Sequence, residues 1–269
     1  MRLGLGSYAF RWNIGIGDQH PPQPMTAFDL LDEAHARGLE VVQYADNLPL
    51  DRLTETDHDR LATIAADRGM TLELGTQSFD ADQVARYLVI GRRIGARILR
   101  VALDEADARM PVPDLARQLR PLLDDARQAG IRIAIENHFN YPSPRMVDLL
   151  NTVDDPQLGV CLDVANSICA GEWTEETVGL LAPYTINLHL KDYVITPDPY
   201  GVGFRIQGVP LGHGRAPLDW VLSQHTHCPP ETSCILEHWL PLDGDADAAR
   251  AQERPWLDQT VAHARRIVT

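Results

Sequence analysis

Residues 126–137 read ARQAGIRIAIEN. A polar, helix-forming stretch ends at Gly130, and an apolar run from Ile131 to Ile135 starts at once. Glycine at that point suits the left-handed residue that closes a helix. A short run rich in Ile suits a strand covered on both faces, as in parallel sheets. The same grammar occurs three more times, in AHARGLEVVQY (34–44), AADRGMTLELG (65–75) and RRIGARILRVAL (92–103). Gly38, Gly69 and Gly95 hold the place that Gly130 holds here.

Extended along the chain, this pattern predicts eight strands, near 2–7, 40–44, 70–75, 97–102, 132–136, 158–162, 185–190 and 233–237. Helices are predicted near 26–37, 53–67, 82–94, 113–129, 144–152, 174–181, 217–225 and 254–267. Eight alternating units in a chain of 269 residues predict one α/β domain over 1–269, a single (β/α)8 TIM barrel. The alternative is a doubly wound open sheet, which usually carries a glycine-rich phosphate loop after its first strand. Here GLGSYAFRWNIG follows that strand, with no GxGxxG and no prompt helix. Two long irregular stretches, 8–25 and 192–216, follow strands and belong at the C-terminal mouth, where such loops carry function. The stretch 241–253 reads as a polar surface segment.

Composition narrows the function. The net charge is −14 and the pI about 5.0, which disfavours nucleic acid as a partner. No apolar run nears the roughly 20 residues of a membrane span, and MRLGLGSYAF reads as a strand rather than a signal peptide. The four cysteines form no CxxC pair and read as reduced thiols. A soluble, cytoplasmic protein is expected.

The strand ends carry the chemistry. IAIEN presents Glu136, GVCLD presents Asp163, TINLHLKD presents His189 and then Lys191, and SCILEHW presents Glu237. In a barrel these ends converge on one mouth. Three carboxylates there would repel one another unless a cation sat among them. A divalent ion held by three carboxylates and one imidazole meets that need. Mn2+ is favoured, with Mg2+, Co2+, Zn2+ and Fe2+ also compatible. Lys191 reads as an electrophile or anion binder, or as the ion-pair partner of Asp192 or Asp163.

The pieces IENH (135–138), CLD (161–163), LHLKD (188–192), PLGHGRAPLDW (210–220) and ILEHW (235–239), in this order, resemble the xylose-isomerase-like barrels. That superfamily includes ketose 3-epimerases and hydroxypyruvate isomerases. The resemblance covers essentially the whole chain and implies that Glu136, Asp163, His189 and Glu237 bind the metal. It also implies that Glu136 and Glu237 form the acid–base pair and that the protein is a dimer or tetramer. The chain departs from the pattern at Asn166, where many relatives carry His; Asn cannot relay a proton near neutral pH. Three-zinc relatives that act on DNA need more histidines than these strand ends offer.

The function expected first is metal-dependent isomerisation or epimerisation of a small ketose or hydroxy-carbonyl compound through an enediolate. The runner-up is decarboxylation of a 3-oxo sugar acid at the same centre, which needs cations for the carboxylate and one acid. SYAFRW, VVQYADNLPL and the 193–209 loop resemble a branch of the superfamily that includes 3-oxo-isoapionate decarboxylase. A non-catalytic sugar-binding barrel is the third reading. Candidate catalytic residues are Glu136, Glu237 and Lys191. Candidate contacts to a sugar or sugar acid are Tyr8, Gln43, Arg100, His138, Asn166 and Arg205. Arg11, Trp12 and Asn47 share the same loops. His138 and His238 each follow a candidate ligand, so alternation turns them away from it. His213, in the LGHG turn, is a candidate for the pocket wall.

Overall fold

The four helix–glycine–strand junctions fold as expected: Gly38, Gly69, Gly95 and Gly130 take φ of 59°, 66°, 70° and 73°. A side chain there would meet its own backbone, so glycine ends each helix and turns the chain directly into the next strand. The structure, a computed structural model, describes residues 1–268. Its strands are β1 (Arg2–Gly6), β2 (Val41–Tyr44), β3 (Thr71–Gln77), β4 (Ile98–Ala102), β5 (Arg132–Glu136), β6 (Leu158–Asp163), β7 (Thr185–Leu190), β8 (Asp192–Pro197), β9 (Phe204–Val209) and β10 (Ser233–Leu236). The helices are α1 (Arg11–Ile14), α2 (Ala27–Ala36), α3 (Glu55–Asp67), α4 (Ala81–Ile94), α5 (Glu105–Arg109), α6 (Val112–Ala129), α7 (Ser143–Val153), α8 (Thr174–Leu181), α9 (Leu218–Gln224) and α10 (Ala246–Ile267).

Eight strands close in the order β1-β10-β7-β6-β5-β4-β3-β2, all neighbours parallel. This is the (β/α)8 barrel. Its helices bury apolar stripes such as Leu115, Leu119, Leu122 and Leu123 of α6 against strands buried on both faces. Register sets the mouth: Asp163 lies level with His189, and His189 with Ile235, one turn of pleat before Glu237.

Several segments differ from expectation: a short helix, α1, follows the first strand promptly within the stretch 8–25, read as irregular, and α5 lies where no helix is expected. The stretch 192–216, read as irregular, contains an antiparallel hairpin of β8 and β9, with Asp192 opposite Val209 and Pro197 opposite Phe204. Its β-branched and aromatic residues pair with each other outside the barrel, so the helix–strand grammar could not reveal it. The helix expected from 254 starts at Ala246, capped by Asp245, whose carboxylate accepts from the amides of Asp247 and Ala248. It runs through Pro255. The supposed surface segment therefore ends in Glu253, which is fully buried.

Candidate metal centre

Asp163 ends β6 with its carboxylate fixed by its own loop. Its Oδ1 accepts from the amides of Ala165 and Asn166, both at 2.8 Å. This local turn spends one oxygen on backbone and leaves Oδ2 facing the barrel axis. Asn137 clamps the same residue: its side chain accepts from the Asp163 amide at 2.7 Å and donates to the Asp163 carbonyl at 2.8 Å. Glu136, the residue before that clamp, is buried beside Arg100 of β4, with Oε2 2.5 Å from the guanidinium. The Asn166 amide donates to Glu136 Oε1 at 3.2 Å.

His189 Nδ1 faces all three carboxylates, at 3.3 Å from Glu136, 3.6 Å from Glu237 and 3.9 Å from Asp163. Ligand atoms of Asp163, His189 and Glu237 lie within 4.8 Å of one another. Lys191 Nζ sits 2.7 Å from Asp163 Oδ2 and donates to Glu237 Oε2 at 3.0 Å. Of the two partners expected for Lys191, the structure selects Asp163. Asp192 instead accepts from the amides of Tyr193, Gly212, Gly214 and Ala216, which ties the hairpin and the LGHG turn together. Gly6 makes room for Glu237: a Cβ there would lie 2.6 Å from Glu237 Oε1.

Burial pushes both glutamates toward the neutral form, and their cations outweigh it. Arg100 and His189 hold Glu136 at about 2, and Lys191 with His189 holds Glu237 well below the usual range. Lys191, although buried, is pushed up by Asp163 and Glu237 and stays protonated. His138 is pushed down by burial and is neutral. Glu136 Oε2, Asp163 Oδ2, Glu237 Oε1 and both His189 nitrogens lack a well-directed hydrogen bond. Oxygen and imidazole atoms on four facing residues, met at most by the ion pairs of Arg100 and Lys191, are what a divalent cation would satisfy. Cys161 also approaches Glu136 and His189, but its thiol donates to Asn187 and burial pushes it up to about 12, so it is a poor ligand.

A cavity of about 410 Å³ opens above the cluster, lined among others by Tyr8, Arg11, Asp46, Arg100, His138, Asn166, Lys191 and Glu237. An adjoining chamber of about 420 Å³ shares Arg11, Phe139 and Trp239 with it. Tyr8 donates to Asp46 at 2.8 Å, and Arg100 pairs with Asp46 at 3.3 Å. Two expected contacts are not brought to the mouth. Gln43 is fully buried inside the barrel, where it donates to Glu73 at 3.0 Å and Asn187 at 3.2 Å. Its inward-facing register position lies too low on β2. Arg205 is exposed on β9 and paired with Asp198 at 2.6 Å, because the hairpin carries it outward. His213 is exposed, and His238 is buried against Trp256. Asn47 accepts from Ser7 at 2.5 Å and stays in the loop scaffold.

No motif in the sequence marks Asp46, Asn137 or Glu73. Glu73 accepts from Gln43 and Asn187 in a polar layer under the cluster. The one signal for it was a carboxylate in the otherwise apolar run TLELG.

A family model described as xylose isomerase-like TIM barrel matches residues 31–260. The chain belongs to the xylose isomerase-like TIM barrel family. Within reach of this family, the chain is 30% identical over 258 residues to 3-oxo-isoapionate decarboxylase of Pectobacterium atrosepticum, spanning 95% of this chain and 92% of that one. Among solved structures, D-psicose 3-epimerase from Clostridium cellulolyticum H10, determined with D-tagatose, superposes with a TM-score of 0.71 at 14% identity, covering 100% and 99% of the two chains. A xylose isomerase-like TIM barrel protein from Mycobacterium smegmatis in complex with magnesium gives 0.69 at 15%, covering 97% of each. Sugar 3-epimerases are thus among the solved proteins that share this fold, and a decarboxylase is among the chain's sequence relatives. No described helix is long and apolar enough to cross a membrane.

Proposed function

We propose that the protein is a metal-dependent carboxy-lyase acting on a 3-oxo sugar acid. The observation that carries this reading is the charge of the mouth. With His189 neutral, as it would be when it binds a metal, Glu136, Asp163 and Glu237 face two cations, Arg100 and Lys191, so the cluster is one charge negative. A divalent ion among them would make it one charge positive; Asp46, paired with Arg100, and Arg11, which has no ion-pair partner among the described residues, add one charge of each sign on the cavity wall and leave that sum unchanged. A monoanionic substrate completes neutrality; a neutral ketose does not. The 30% identity to a decarboxylase of an oxo sugar acid supports the same choice.

Glu136, Asp163, His189 and Glu237 would hold the ion. Bound there, it would supply Lewis acidity for the enediolate left when CO2 departs. Loss of CO2 sends the C–C bonding electrons toward the neighbouring carbonyl and needs no base at the start. That suits Glu136 and Glu237, which their cations keep ionised and weakly basic. Lys191, protonated and on the cavity wall, returns one proton to the carbon. Arg100 holds Glu136, and Asn166 holds its other oxygen by a hydrogen bond, so neither moves a proton. Tyr8 and His138 present a hydroxyl and a neutral imidazole to substrate oxygens.

The second reading is isomerisation or epimerisation, with Glu136 and Glu237 as the acid–base pair. Their positions, ending β5 and just after β10, flank the cavity and favour it. One experiment separates the two. Mn2+-loaded protein incubated with 3-oxo-isoapionate, followed by mass spectrometry, is expected to release one CO2 per substrate. A product of unchanged mass would overturn the lyase and favour the isomerase. Glu237→Gln is expected to abolish either turnover while leaving the melting temperature near wild type.

A further inference from the structure

Three cationic side chains line the cavity, and two are used up. Arg100 pairs with Glu136 at 2.5 Å and with Asp46 at 3.3 Å. Lys191 pairs with Asp163 at 2.7 Å and with Glu237 at 3.0 Å. Arg11 makes no ion pair among the described residues. It opens α1, its guanidinium lies 4.5 Å from the centre of the Trp12 ring, and it donates to the carbonyl of Leu240. Its Nε is enclosed without a partner. The acid whose field reaches it, Glu253, is spent on the Trp12 amide and on the amide and side chain of Asn13. One carbonyl and a ring face only partly offset the desolvation of a half-buried guanidinium without a counter-ion, and a ligand anion would complete it.

We infer that Arg11 is the residue that recognises the substrate's carboxylate, at the junction of the metal-centre cavity and the adjoining chamber. This rests on the sugar-acid reading above and names the group that would enforce it. The geometry adds a reason for the placement. The adjoining chamber is walled by Phe139, Ile168, Ile206, Trp239 and Pro241. A carboxylate held at Arg11 has a cation on one side and an apolar wall on the other. The cation orients it, and the wall solvates neutral CO2 better than a carboxylate. When the C–C bond breaks, its electron pair stays with the sugar carbon framework and CO2 leaves uncharged. Lys191 supplies the proton that replaces it.

The test uses Mn2+-saturated full-length protein and two probes of the same carbon number, gluconate and sorbitol, measured by calorimetry. Wild type is expected to bind gluconate more tightly than sorbitol. Arg11→Met is expected to weaken gluconate by about 10–100-fold, the loss of one charge-assisted contact, while sorbitol is unchanged. Arg11→Lys is expected to keep part of the preference. Retained sorbitol binding shows that each variant is folded with its cavity intact, and the lysine variant carries the test if the methionine variant is not. Equal binding of the two probes by wild type, or undiminished gluconate binding without Arg11, overturns the inference. Failure of CO2 release with an Arg11-dependent gluconate preference would sink the lyase reading alone. CO2 release with no such preference would sink Arg11 alone.

Discussion

At Asp163 and Asn166 the sequence raises a question that the geometry answers. A carboxylate ending an apolar strand is tolerated because one oxygen is spent on two backbone amides and the other faces Lys191 and His189. Asn166, where a proton relay is absent, does a holding task on Glu136. Lys191 is the residue whose removal is most informative. Its ammonium occupies Asp163 Oδ2, an oxygen that a cation would need, and holds the other oxygen of the Glu237 carboxylate. In Lys191→Met that competition and the like-charge repulsion both vanish. Calorimetric affinity for Mn2+ is therefore expected to rise about 10-fold or more, while turnover falls about 100-fold with the loss of the proposed proton donor. Weaker Mn2+ binding in this variant would show that Lys191 supports the ion rather than competing with it.

At the scale of elements, what was legible and what was not divide by range. Helix, glycine and strand follow one another within a dozen residues, so eight strands and the four strand-end candidates could be read directly. The β8–β9 hairpin, Asn137 and Glu253 depend on partners chosen by tertiary register, and nothing local announces them. Glu253 shows the consequence. It lies on α10, 240 residues along the chain from Asn13, yet accepts three N–H bonds from Trp12 and Asn13 and so anchors the loop that carries Arg11. Burial pushes its carboxyl up to about 7, against the opposing pull of those donors. Between roughly pH 4.3 and 7 the unfolded chain has lost this proton and the folded chain keeps it. Stability therefore falls as pH rises through that window and then levels, by roughly 4 kcal/mol at most. Glu253→Gln cannot titrate. Its stability relative to wild type, from urea unfolding, is expected to rise between pH 5 and pH 8; a flat difference would mean that Glu253 titrates normally.

For the whole molecule, the centre joins function to folding. The barrel closes eight strands so that three carboxylates meet at one imidazole, an arrangement that repels itself. Arg100, Lys191 and a protonated His189 offset that repulsion in the metal-free chain. On the metal-dependent reading an ion would take the place of the His189 proton among the carboxylates, and its binding energy would become stability of the barrel. With Mn2+ at about 1,000 times its dissociation constant, linkage gives roughly 4 kcal/mol. At roughly 2–4 °C per kcal/mol for a chain near this size, the melting temperature should rise by about 10 °C. EDTA should return it to the metal-free value and abolish turnover, and added Mn2+ or Co2+ should restore both. The rise should shrink in Asp163→Asn, which keeps the local turn but loses a ligand charge. A melting temperature indifferent to every divalent ion, with full activity in EDTA, would show that Lys191 and Arg100 alone complete the centre.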